Sequence, residues 1–116
     1  MIAVSPATRV FLACGATDMR KGYDGLCALV TGQLGEDALS GHLFVFANGR
    51  RTRLKILYWD GSGLWVCGKR LERGRFSWPD AEGASGKAQL SPAQLAMLLG
   101  GIDLARGCPK KWLRKG

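Results

Sequence analysis

Residues 8–14 run through β-branched and aromatic side chains and stop at Gly15, the pattern of a first strand. The period then changes. Over residues 18–34, Met19, Tyr23, Leu26, Cys27, Val30 and Leu34 recur at spacings of three and four, which predicts a helix with Thr17 or Asp18 as its N-cap. Arg20 and Asp24 fall four apart on its other face, spaced for an ion pair. Gly22 and Gly25 inside such a helix each cost about 1 kcal/mol relative to alanine, so close packing on a sheet is expected to need their missing side chains.

The centre of the chain has a period of two. Asn48-Gly49 and Asp60-Gly61-Ser62-Gly63 are hairpin signals separating strands at residues 43–47, 51–59 and 64–71, a three-stranded meander. With Ala47 opposite Arg50 or Thr52, and Trp59 opposite Leu64, alternation of side chains sorts the two faces. One collects Leu43, Val45, Ala47, Leu54, Ile56, Tyr58, Trp65, Cys67 and Leu71 and is a core face. The other collects Phe44, Phe46, Arg51, Arg53, Lys55, Leu57, Trp59, Leu64, Val66 and Arg70, rings mixed with cations. Two readings fit it. Either a helix or partner covers the apolar end while basic side chains snorkel over the rings, or the rings stack on bases while guanidinium groups neutralise phosphates.

Residues 72–75 form a turn, residues 80–87 a loop, and Ser91-Pro92 opens a second helix with Leu95, Leu98, Leu99 and Ile102 on its buried stripe. The fold class is α+β: a small single domain over residues 1–105 with a central antiparallel meander, an N-terminal strand-helix unit and a C-terminal helix. Residues 106–116 form a basic tail.

Charge gives this outline a direction. The 116 residues carry 17 Lys and Arg against 9 Asp and Glu, a formal net charge of +8, which points to an anionic partner. Residues 50–75 hold Arg50, Arg51, Arg53, Lys55, Lys69, Arg70, Arg73 and Arg75 against Asp60 and Glu72. The tail holds Arg106, Lys110, Lys111, Arg114 and Lys115 and no acid. The remainder is mildly acidic, so the excess is confined to the centre and the tail. No run approaches the roughly 18 apolar residues of a membrane span, and no signal-peptide pattern opens the chain.

The chemistry of catalysis finds little to use. Cys14, Cys27, Cys67 and Cys108 form no Cys-x-x-Cys pair and His42 is the single histidine, so neither a metal site nor a nucleophilic triad is expected. Cys14, Cys27 and Cys67 sit at apolar-periodic positions and read as reduced core thiols of a cytoplasmic protein. No phosphate-binding glycine loop precedes a helix. Metal-dependent strand transfer needs three gathered carboxylates. Here Asp18 caps a helix, Asp24 pairs with Arg20, Asp60 opens a turn, Glu72 sits among arginines and Asp103 follows the second helix. The expectation is no enzyme and no cofactor.

Three blocks carry a resemblance. TDMRKGYDGLCALV at residues 17–30, GHLFVFANGRRTRLKILYWDGSGLWVCGKRLERGRFSWP at 41–79 and LSPAQLAMLLGGID at 90–103 resemble the TnpB-type accessory protein of the insertion-sequence-sixty-six family of bacterial mobile elements. Departures are Cys67-Gly68 in place of two aromatic residues, Tyr23 in place of Phe, and a tail without a matching pattern. The resemblance implies the second small product of a transposition operon, in which a separate large transposase performs strand transfer.

Two functions follow as expectations. In the first, Arg50, Arg51, Arg53, Lys55, Lys69, Arg70, Arg73 and Arg75, with Lys110 and Lys111 of the tail, grip DNA at the transposon end or the target. Neutralising about six phosphates gives a log-log salt slope near −5. In the second, Phe44, Phe46, Trp59, Trp65, Phe76 and Trp78 anchor the protein on the transposase or on another product of the same operon. Either role places the protein in the bacterial cytoplasm, at the nucleoid, with no membrane partner.

Overall fold

A computed structural model describes residues 7–78 and 86–100. Five strands make one sheet: β1 (Val10–Ala16), β2 (Leu43–Ala47), β3 (Arg53–Trp59), β4 (Leu64–Arg70) and β5 (Lys87–Leu90), in the order β4-β3-β2-β1-β5. The meander is present as β2, β3 and β4, paired antiparallel. The architecture is α+β, as the sequence predicts.

Two pairings lie beyond the sequence reading. β1 runs parallel to β2, with Val10 opposite Leu43, so the intervening helix α1 (Tyr23–Leu29) serves as a crossover. The fifth strand occupies Lys87–Leu90, where a loop was expected to end, and pairs antiparallel with β1. Lys87 ties this edge down, donating to the Leu34 carbonyl at 3.0 Å and to Glu36 at 2.7 Å.

The first helix is shorter than its apolar period. Asp18 spends its carboxylate on the Arg20 backbone N–H at 2.9 Å, closing a turn, and the helix begins after Gly22, which offers no side-chain cap. Arg20 therefore lies outside the helix and pairs with Asp18 at 2.8 Å rather than with Asp24. A π-helical turn, Val30–Leu34, continues α1 and stops at Gly35, whose φ of 66° is the left-handed conformation that glycine adopts most easily. The expected packing of Gly22 and Gly25 on the sheet is also corrected. A Cβ at Gly25 would crowd Lys21 at 3.1 Å, and one at Gly22 would meet nothing within 4 Å.

Both faces of the sheet are covered. On one, Leu43, Val45, Ala47, Leu54, Ile56 and Tyr58 pack with Val10, Leu12 and Phe76 against Leu95 and Leu98 of α2 (Pro92–Leu99). Cys67 and Leu71 pack at its margin as expected. Trp65 shares that face but is 41% exposed, because it sits at the hairpin end of edge strand β4. On the other face, α1 and its π-helical turn lay Leu26, Val30 and Leu34 over Phe11, Phe44, Phe46 and Leu57.

Candidate nucleic-acid interface

The β2–β3 connection sets where the basic residues go. Ala47 pairs with Leu54, so the loop is wider than the two-residue hairpin that Asn48-Gly49 predicts. The Asn48 side chain closes it, its Oδ1 accepting from the Thr52 and Arg53 backbone N–H groups at 2.9 and 3.1 Å. Arg51 takes φ 60° within it. The shift of pairing is by an even number of residues from Thr52, so the predicted faces survive the change of loop.

The predicted cations separate into two groups. Arg51, Lys55 and Lys69 are anchored on the protein itself. Arg51 Nη2 donates to the Cys14 carbonyl at 2.6 Å and its guanidinium lies 5.2 Å from the Trp78 ring centroid. Lys55 Nζ donates to the Lys21 carbonyl at 3.0 Å. Lys69 lies on the opposite face, across from Leu54, and its ammonium donates to the Leu99 carbonyl at the end of α2, where a cation meets the negative end of the helix. The basic residues of the centre therefore do not form one uniform surface.

Arg50, Arg53, Arg70, Arg73 and Arg75 are exposed and gather at one end of the sheet. Arg53 opens β3 directly opposite Arg70, which closes β4. The segment carrying Arg73 and Arg75 is held back against the β2–β3 loop by Leu71 N–H to the Thr52 carbonyl at 2.8 Å and Phe76 N–H to the Arg51 carbonyl at 2.6 Å. Arg70 meets Glu72 at 3.3 Å with both side chains largely in solvent. Lys110 and Lys111, like the rest of the tail, lie outside the described residues.

Beside this end lies a cleft of about 390 Å³, lined by Met19, Arg53, Lys55, Gly68, Lys69, Arg70 and Glu72 among others. Met19 and Gly68 carried no functional reading in the sequence. The apolar spacing places Met19 on the buried stripe of a helix, but the turn that Asp18 makes keeps it outside α1 and brings it to the strand ends. The neighbouring Arg20 is engaged by Asp18, and its guanidinium holds that carboxyl down to about 2.

The six candidate anchor rings divide as well. Phe44 and Phe46 are fully buried and Phe76 is 3% exposed, so none of the three offers a docking surface; α1 covers the first two and the face that carries α2 encloses the third. Trp78 is half-buried, its indole donating to the Ala13 carbonyl at 3.2 Å under the Arg51 guanidinium. Trp59 is half-buried. Trp65 remains exposed at the far end of the β3–β4 hairpin, with its Nε1 donating to Asp60 at 2.7 Å. The Ser62 and Gly63 backbone N–H groups also bond the Asp60 carboxylate, and with the Trp65 indole they hold its pKa well below the usual range.

Among the described residues no three His, Cys, Asp or Glu side chains gather to hold a metal ion, and no helix is long and apolar enough to cross a membrane. Cys27 and Cys67 are free thiols at the edges of the two core clusters, and burial with Asp24 nearby pushes the Cys27 thiol up.

A family model described as IS66 Orf2 like protein matches residues 8–108. Two relatives from Sinorhizobium fredii are similar over almost their whole length. Uncharacterized protein y4hO is 46% identical over 103 residues, 89% of this chain and 88% of its own. Uncharacterized protein y4jC is 39% identical over 106 residues, 91% of this chain and 89% of its own. No solved structure matches the chain. The matched stretch spans every described strand, both helices and the basic end of the sheet, and the chain belongs to the IS66 Orf2-like family, with an accessory role in that transposition system.

Proposed function

We propose that the protein is a non-catalytic accessory of transposition that holds DNA through the arginine-rich end of its sheet. The observation that carries this is the gathering of Arg50, Arg53, Arg70, Arg73 and Arg75, all exposed, around the β2–β3 loop and the end of β4. Like charges directly opposite on neighbouring strands, as at Arg53 and Arg70, cost stability unless an anion lies between them. The family assignment makes DNA the polyanion at hand.

Fluorescence anisotropy on labelled DNA across a salt series tests this. Five neutralised phosphates give a log-log slope of about −4 to −5. A protein with no affinity for DNA at low salt sinks the proposal.

A second role, docking on the transposase, is supported by one feature: the exposed Trp65 at the opposite end of the β3–β4 hairpin. Trp59 and Trp65 are the anchors of this reading. Because the aromatic tip and the arginines lie at opposite ends of the same hairpin, the two roles separate. Trp65→Ala is expected to weaken co-purification with the transposase after nuclease treatment while leaving DNA affinity within about twofold.

A further inference from the structure

The cleft of about 390 Å³ beside the arginines is larger than a phosphate needs and falls among small-molecule sites, roughly 300–1,000 Å³. Its walls differ in character. Arg53 and Arg70 face each other across the strand pair, and Lys55 next to them is fixed by its bond to the Lys21 carbonyl. Gly68 sits opposite Lys55 on the same face, so the strand there presents bare backbone. Met19 supplies an apolar wall from the turn before α1. Glu72, the acid at the rim, meets Arg70 in a solvent-exposed contact of the kind worth little, which an incoming phosphate can replace.

Cations that grip phosphate, an apolar thioether and a stretch of bare strand are the surfaces one nucleotide presents partners for. A cleft of about 390 Å³ is of the size of one nucleotide, and a continuous duplex keeps each base paired and stacked, out of reach of such a cleft. Building on the DNA-binding reading above, we propose that this cleft takes one unpaired nucleotide, so the protein prefers a single-stranded or frayed DNA strand to continuous duplex. The arginines hold its phosphate, and the sugar and base lie along Gly68 and Met19.

Gly68→Val tests the cleft without touching a charge. A Cβ at Gly68 meets only the Leu54 carbonyl oxygen at 3.8 Å, ordinary contact, so the strand accommodates it while the cleft fills. Anisotropy with a single-stranded oligonucleotide and with a blunt duplex of the same sequence is compared in one buffer. The expected result is at least a tenfold loss for the single strand and an unchanged duplex affinity. Unchanged single-strand affinity, or equal loss for both substrates, overturns the cleft assignment while leaving the basic surface as a DNA grip. Absence of binding by the wild-type protein to either substrate overturns the DNA-binding reading itself. If Gly68→Val lowers the melting temperature, the wild-type protein decides by amide chemical shifts. Single-stranded oligonucleotide is expected to move the Gly68 and Met19 signals, and signals that stay in place overturn the assignment.

Discussion

Arg51 holds a left-handed backbone with φ 60°, a conformation that costs a long side chain roughly 1–2 kcal/mol. Its own contacts offset that cost. The guanidinium grips the end of β1 at the Cys14 carbonyl and stacks on Trp78, and its carbonyl accepts from Phe76 N–H. Truncation removes the grip but leaves the strain, so Arg51→Ala is expected to lose about 2 kcal/mol in urea unfolding. Arg51→Gly, free of the Cβ, is expected to fall between the wild type and Arg51→Ala; equal stability of the two variants would contradict the strain. At the other end of the sheet, Asp60 accepts from two backbone N–H groups, the Ser62 hydroxyl and the Trp65 indole. Its folded-state pKa is depressed, so its contribution to stability is present above the unfolded-state value of about 3.9 and fades as pH falls through the folded value. The Trp65 indole N–H resonance is therefore expected to hold its neutral-pH position down to pH of about 3. A titration midpoint near 4 would show an ordinary aspartate.

Helix α2 is short and relies on its start. Ser91 Oγ accepts from Gln94 N–H at 3.1 Å and Gln94 Oε1 from Ser91 N–H at 2.8 Å, a reciprocal capping box with Pro92 in the first turn. Ser91→Ala is expected to cost about 1 kcal/mol, read as a lower urea midpoint. Across the sheet, α1 closes the face on which rings and cations were mixed. Its apolar stripe takes Phe44, Phe46 and Leu57, while Lys55 on the same face reaches the Lys21 carbonyl ahead of the helix and Arg53 stays in solvent. Phe46→Ala therefore creates a core cavity and is expected to cost about 3–5 kcal/mol, where loss of an exposed docking ring would cost almost none.

For the molecule as a whole, charge follows topology. The parallel β1–β2 pair and the antiparallel meander bring the end of β1, the β2–β3 loop and the end of β4 to one end of the sheet, and the exposed arginines collect there. The double variant Arg53→Gln, Arg70→Gln is expected to reduce the salt slope for DNA by about 2, through two fewer phosphate contacts. Anisotropy over the same salt range reads it; an unchanged slope would move the DNA contact elsewhere. Arg51→Ala, with its cation already spent on the Cys14 carbonyl, is expected to change that slope by less than about 1.

The meander, its core face and the capped second helix were legible along the chain because they follow from local rules: a period of two, turn residues, and Ser-Pro at a helix start. The family was legible too, since it rests on the order of residues alone. Only the tertiary structure decided what each residue of the mixed face does. Alternation places Phe44, Phe46 and Arg53 on one side of the sheet, but not which stretch α1 covers, and that coverage makes the phenylalanines core and leaves the arginine in solvent. The parallel β1–β2 pair, the fifth strand and the carbonyls that claim Arg51, Lys55 and Lys69 are contacts between distant segments, which local pattern does not encode.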